Sequence, residues 1–142
     1  MTHTNKFVYW FKELNIKDVS QVGGKNASLG EMYQKLISKG VRVPNGFATT
    51  AEAYQYFLKQ SGLADEIKTT LHGLDVTNIK ELMKRGEKIR QMILKADLPL
   101  ELEKQIRQAY QKLAQEYKNK KVDVAVRSSA TAEDLPTASF AL

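Results

Sequence analysis

The sequence contains no cysteine, so the chain forms no disulfide and has no thiol chemistry. It also has no long apolar run, because the longest, at residues 7–11, is far too short to cross a membrane. The first residues lack the charged start and apolar core of a secretory signal peptide. These absences exclude a disulfide scaffold and predict a cytoplasmic protein with no membrane partner.

Histidine is equally scarce, with two in the chain. His3 lies near the amino terminus and His72 precedes Gly73 at a predicted helix end. Neither has a second histidine or a carboxylate at metal-ligand spacing, and no Ser/His/Asp arrangement is visible. We therefore predict no metal site and no catalytic side chain within this chain.

What the chain does contain is typical of one globular domain: 142 residues, 42% apolar and 27% charged. The formal charge of +6 admits a nucleic-acid partner, but the basic residues are scattered. The tight cluster of Lys118, Lys120 and Lys121 lies at a predicted helix end, where cations favour the helix dipole. We therefore expect no nucleic-acid partner, and a basic module that binds RNA is kept as the alternative.

Apolar periodicity predicts an α+β fold, with a small sheet flanked by about five helices. Three or four short strands are expected. One lies in the aromatic run at 7–11, one lies around the Pro44-Asn45-Gly46 turn within 41–47, and one lies in the alternating valines of 122–126, with one face on the core.

The predicted helices follow apolar residues at helical spacing. The first follows Gly23-Gly24 and ends at Gly40, and the second begins at the capping-box pair Thr49 and Glu52. The first helix is expected to bury Leu29, Met32, Tyr33 and Leu36. The remaining three are a short helix at 65–71, a helix at 79–93 that contains Gly86, and a last helix with Pro99 in its first turn.

The first candidate site is the sequence Gly23-Gly24-Lys25 at the start of a predicted helix. Two glycines let the backbone approach a ligand closely, and a helix amino terminus presents unpaired N–H groups and partial positive charge. Lys25 adds a full charge. These features predict a phosphate-binding loop, although the spacing of a Walker A loop is missing and a plain turn is the alternative.

The second candidate site is residues 127–131, which follow the predicted strand at 122–126. Arg127 offers a planar cation, and hydroxyls come from Ser128, Ser129 and Thr131. Glu133 and Asp134 could hold Arg127 or cap a helix, so a structural ion pair is the alternative. Convergence of the two loops on one pocket would indicate a phosphate ligand.

Three longer motifs resemble the phosphoenolpyruvate synthases and pyruvate phosphate dikinases, and in particular the start of the pyruvate, water dikinases. They are residues 22–32 (Val-Gly-Gly-Lys-Asn-Ala-Ser-Leu-Gly-Glu-Met), 43–50 (Val-Pro-Asn-Gly-Phe-Ala-Thr-Thr) and 125–136 (Ala-Val-Arg-Ser-Ser-Ala-Thr-Ala-Glu-Asp-Leu-Pro). The likeness runs over nearly the whole chain, in order. It implies that residues 1–142 are the N-terminal part of an ATP-grasp nucleotide-binding domain, an incomplete subdomain.

The resemblance also implies a reaction. In this family ATP gives its β-phosphoryl group to a histidine on a swivelling domain, leaving AMP and inorganic phosphate. The phosphohistidine then phosphorylates pyruvate in a barrel domain, using magnesium. Lys25 and Arg127 match the family lysine and arginine that contact ATP phosphates, so ATP and Mg²⁺ are the implied cofactors. The binding residues expected around them are Gly23, Gly24, Ser128, Ser129 and Thr131.

The match stops at the carboxyl end of the sequence. Residues 138–141 match the family, but Leu142 stands where the family continues into a glycine and a Gln-Gln-Glu run, and Thr137 replaces a common acidic residue. We expect the adenine pocket, the metal-binding carboxylates, the phosphorylated histidine and the pyruvate site to be absent. The chain alone should then bind ATP weakly or undetectably, turn over nothing, and self-associate through the surface left exposed.

Other readings of the same sequence remain. A phosphotransferase of the rifampicin-phosphorylating kind would share the ATP-grasp start and carry a different acceptor domain. An inert remnant would keep the fold without the activity, with apolar surface exposed.

Overall fold

The computed structural model describes residues 6–131, which form six α-helices and a two-stranded sheet. The expectations for His3, Glu133, Asp134, Thr137 and residues 138–142 lie outside this range. The strands are β1, Val8–Trp10, and β2, Phe47–Thr49. The helices are α1, Val19–Val22, α2, Gly24–Leu36, α3, Ala51–Gln60, α4, Leu63–Leu71, α5, Ile79–Lys95, and α6, Leu100–Glu116. The predicted α+β class is confirmed, with one helix more and fewer strands than expected.

The sheet is antiparallel and pairs residues 8–10 with residues 47–49. Tyr9 pairs with Ala48, and both pack with Ala27 of α2 in one buried cluster. Just before β1, the Phe7 amide donates a hydrogen bond of 2.8 Å to Gln105 Oε1 of α6. The sheet therefore links α2 to α6, the helix that leads into the second candidate site.

A second cluster holds the helices on one another. Its buried members are Phe7, Ala53, Phe57, Leu63 and Leu102, and Met92 and Ile93 of α5 pack against it.

Helix α3 begins one residue later than predicted, because Thr50, not Thr49, caps it. Thr50 Oγ1 accepts a 3.0 Å hydrogen bond from the Ala53 amide.

Helix α2 is buried on a different face from the one predicted. Gly24, Ala27 and Gly30 are buried, and a Cβ on Gly30 would lie only 2.6 Å from Leu14 Cβ. Small residues let the helix backbone approach its neighbour closely, which apolar periodicity does not register. The large side chains predicted to be buried are partly or largely exposed: Leu29, Met32, Tyr33 and Leu36.

The predicted strand at 122–126 is wrong. These residues belong to no strand within the described part of the chain, and Val126 is 91% exposed. In a strand, the repeat of two residues puts alternate side chains on opposite faces. A strand also needs a partner for its backbone groups. The strand predicted within 41–47 is similarly displaced, since β2 begins only at Phe47 and residues 43–46 form a loop.

Candidate phosphate-binding site

The amino terminus of α2 forms the first half of the candidate site. Gly23 has φ +79°, a conformation that favours glycine, and its carbonyl accepts the first helical hydrogen bond, 3.0 Å from the Ala27 amide. The Gly23 amide donates back to the Val19 carbonyl at 2.8 Å, which closes α1 against the turn. The amides of the first turn of α2 therefore have no helical acceptor and carry the positive end of the helix dipole.

The segment at 127–131 lies directly on this terminus. A Cβ on Gly23 would lie 2.8 Å from the Ala130 carbonyl oxygen and closer still to Ser129 Oγ. No side chain fits in that space, so glycine is required by the approach of the second segment as well as by its own φ. The two loops singled out in the sequence therefore meet in the fold.

Ser129 is placed unusually at this junction. Its Oγ is buried and has no hydrogen-bond partner within the part of the chain that the structure describes. A buried hydroxyl without a partner costs about 1–3 kcal/mol, so such groups are rare in folded proteins.

The charged residues flank the junction. Lys25 lies in the first turn of α2, and Arg127 precedes Ser129 by two residues; both side chains are exposed. Ser128 and Thr131 are exposed as well, whereas Gly23 and Gly24 are buried. Arg127 extends from an unpaired segment and not from the end of a strand, which corrects the predicted setting.

Further side chains that the sequence reasoning did not assign hold this corner together. Asn26 Nδ2 donates a 2.9 Å hydrogen bond to the Val22 carbonyl, which clamps α1 to the first turn of α2. Glu31 accepts a 3.2 Å hydrogen bond from the Ile16 amide and pairs with Lys35. The hydrogen bond from Lys35 and then that from the Ile16 amide lower the pKa of the Glu31 carboxyl below its ordinary value of 4.5. The signal in the sequence that could have indicated these contacts was Asn26, an asparagine in the first turn after Gly23-Gly24.

Neither a metal site nor a membrane span is found between residues 6 and 131. No three His, Cys, Asp or Glu side chains there come together as metal ligands. None of the helices in the same range combines the length and the apolar character needed to cross a bilayer.

The amino terminus of α2 and the hydroxyl-bearing segment at 127–131 meet in the fold, and comparison with known proteins shows which family the chain belongs to. The family model for the pyruvate phosphate dikinase AMP/ATP-binding domain matches residues 19–141, a range that includes both halves of the site. The chain belongs to this family.

Curated relatives narrow the likeness further, since several are phosphoenolpyruvate synthases. The chain is 53% identical to that of Neisseria meningitidis serogroup B over 137 residues and 52% identical to that of Helicobacter pylori over 136 residues, each match covering 96% of the chain. It is 49% identical to that of Escherichia coli K12 over 138 residues. The chain spans 17% of the length of each of these relatives. The resemblance seen in the three motifs is confirmed.

Proposed function

We propose that residues 1–142 form the phosphate-binding, N-terminal part of an ATP-grasp domain in a phosphoenolpyruvate synthase. Family membership and the named relatives support a nucleotide ligand of this kind. The observation that carries the proposal is the buried Ser129 hydroxyl, which has no hydrogen-bond partner among residues 6–131 and is set against Gly23 at the start of α2. A phosphate oxygen is an acceptor that this hydroxyl and the neighbouring helix amides could share.

The proposed reaction converts ATP, pyruvate and water to phosphoenolpyruvate, AMP and inorganic phosphate. The β-phosphoryl group of ATP passes first to a histidine and then to the enol oxygen of pyruvate, and water takes the γ-phosphoryl group. In this proposal the histidine and the pyruvate site belong to parts of the longer protein outside this chain. The absence of cysteine suits a reducing compartment, and we place the reaction in the cytoplasm.

The residues at the junction would act by electrostatics and positioning. Lys25 and the first-turn amides of α2 would neutralise phosphate charge, and Arg127 would hold two phosphate oxygens with its planar guanidinium. Ser128, Ser129 and Thr131 would donate hydroxyl hydrogen bonds to the remaining oxygens. Mg²⁺ bound with ATP would supply further charge neutralisation, and the described residues present no acidic cluster to hold it.

A chimera tests the proposal directly. Residues 1–142 would replace the matching segment of the E. coli K12 relative, to which the chain is 49% identical. Formation of AMP from ATP with pyruvate is then measured. We expect an active chimera, and Lys25→Ala or Arg127→Ala should lower kcat/KM by about 100-fold or more, because each removes a charge that faces the phosphates.

Matched substitutions separate this effect from a loss of surface charge. Lys104→Ala and Arg107→Ala remove exposed cations of α6, and Arg107 forms a surface pair with Glu103. Both controls should keep near-normal kcat/KM. A near-normal rate in Lys25→Ala or Arg127→Ala would remove that residue from the proposed site, and an inactive parent chimera would contradict the proposal itself.

A further inference from the structure

The loop at residues 43–46 lies outside the candidate site, yet it is hydrogen-bonded to the carboxyl end of α6. The Asn45 amide donates to Tyr117 Oη at 3.0 Å, and Asn45 Nδ2 donates to Glu116 Oε2 at 2.7 Å. Asn45 Oδ1 also accepts from the Gly46 amide at 2.9 Å. One asparagine side chain thus fixes the shape of its own loop and the position of the helix end.

The same loop is also hydrogen-bonded to the residue that follows β1. The Gly46 carbonyl accepts a 3.0 Å hydrogen bond from the Phe11 amide, and the next residues form β2. Ala48 of β2 packs in the buried cluster that contains Ala27 of α2. The loop therefore continues directly into the strand that packs against the helix whose amino terminus forms the candidate site.

The second half of the candidate site, residues 127–131, follows the end of α6 in the chain. Lys118 takes φ +50°, and the Asn119 amide donates to the Ala114 carbonyl at 3.0 Å, which turns the chain sharply out of the helix. Tyr110 Oη then donates to the Val122 carbonyl at 2.9 Å. The segment that follows reaches Gly23 at Ser129.

We propose that Asn45 is a positioning residue for the junction of Ser129 with Gly23. Its side-chain amide holds the end of α6 at a set distance from the sheet and α2, so that the departing segment is aimed at the amino terminus of α2. The carboxylate of Glu116 is a strong acceptor, which favours a single arrangement of the two elements. The statement that this placement helps to bind ATP phosphates rests on the function proposed above.

The absence of cysteine allows a clean distance measurement on the whole chain. Ser28→Cys on α2 and Ala125→Cys on the departing segment are exposed positions for nitroxide labels. Pulsed electron paramagnetic resonance should give one narrow distance distribution in this labelled pair. Adding Asn45→Ala should broaden the distribution markedly, because the helix end loses the hydrogen bond between Asn45 Nδ2 and Glu116 Oε2.

Two control variants sharpen the result. Asn78→Ala makes the same chemical change at the cap of α5, where Asn78 Oδ1 accepts from the Glu81 amide at 3.2 Å, and it should leave the distribution narrow. Glu116→Gln keeps an acceptor for Asn45 and should also keep it narrow, whereas Glu116→Ala should broaden it. Circular dichroism on each variant confirms that the helices are intact.

Several outcomes would overturn the positioning role. A broad distribution in the labelled chain without further changes, an unchanged distribution in Asn45→Ala, or equal broadening in Asn78→Ala would each do so. In the active chimera, Asn45→Ala should raise KM for ATP by about tenfold, because the phosphate ligands are misplaced. Broadening with unchanged kinetics would leave the positioning role standing and count against the proposed use of the junction in ATP binding.

Discussion

At the scale of single residues, two helical glycines have opposite consequences for stability. Gly30 of α2 faces Leu14, where an added Cβ would lie 2.5 Å from a backbone carbonyl oxygen and 2.6 Å from Leu14 Cβ. Gly86 of α5 faces only the end of the Arg90 side chain, 3.4 Å from the position of an added Cβ. Backbone atoms cannot move aside cheaply, whereas a flexible guanidinium can.

The two alanine variants should therefore change the free energy of unfolding in opposite directions. Gly30→Ala should lower it by about 1–3 kcal/mol through overpacking. Gly86→Ala should raise it by about 0.5–1 kcal/mol, because alanine loses less backbone entropy in a helix interior. Urea denaturation followed by circular dichroism measures both. Equal stability of the two variants would contradict the close contact between α2 and Leu14.

At the scale of elements, the end of α6 is held in a strained conformation. Lys118 is the one non-glycine residue with positive φ between residues 6 and 131. The Lys118 amide donates to the Gln115 carbonyl and the Asn119 amide to the Ala114 carbonyl, both at 3.0 Å, as in a Schellman motif. Glycine is the usual residue at this position because it has no Cβ to oppose the left-handed conformation.

Lys118→Gly should therefore raise the free energy of unfolding by about 0.5–1 kcal/mol. The gain is expected because the strain relieved in the folded state outweighs the extra conformational entropy that glycine gives the unfolded state. Lys120→Gly removes the same charge at a neighbouring exposed position without positive φ and should give no gain. Thermal and urea unfolding of the two variants provide the comparison. A loss of stability in Lys118→Gly would mean that the lysine side chain itself holds the helix end.

At the scale of the whole molecule, several carboxyl groups couple the fold to pH. Burial raises the pKa of Glu13, but the hydrogen bonds from Lys6 and from the Trp10 amide, with the nearby lysine charges, bring it below 4.5. Hydrogen bonds from Thr77 lower the pKa of Asp75. The pKa of Glu87 is lowered by Gln91 and Arg90 and that of Glu31 by Lys35 and the Ile16 amide.

Because these pKa values are lower in the folded state, the unfolded chain takes up protons first as the solution is acidified. Stability should stay level from neutral pH down to about pH 5 and fall as the pH drops through the folded pKa values below 4.5. Glu31→Gln should be less stable than the parent chain at pH 7, and the difference should shrink as the pH falls through the lowered pKa of the Glu31 carboxyl. Urea unfolding over a series of pH values from neutral to acid measures the difference. A difference that did not change with pH would show that the charge of Glu31 is not its cause.

Exposed apolar side chains are a second property of the whole molecule. Val126 is 91%, Leu100 84% and Leu94 76% exposed, and such side chains favour association when they lie together. The expected self-association of the chain remains a prediction.

The basic cluster of Lys118, Lys120 and Lys121 lies just beyond the end of α6, as predicted, where its charge favours the helix dipole.

Local features of the fold were predictable from the sequence. The helices at 51–60, 63–71, 79–95 and 100–116 follow from apolar spacing, and β1 follows from its aromatic residues. The three motifs were sufficient to indicate the family. The buried face of α2 was not predictable, because small residues chosen for close approach leave no apolar signal. The valines at 122–126 were misleading because their alternation does not reveal whether a partner strand is present.

By itself the sequence determined the class of the fold, the positions of most helices and the residue types available for binding phosphate. Each of these follows from neighbours within a few turns of chain. Only the tertiary structure decided that Ser129 lies on Gly23, that Asn45 holds the end of α6, and that Gly30 must remain without a side chain. These contacts join residues distant in sequence, and their geometry depends on how whole surfaces pack, which no local pattern encodes.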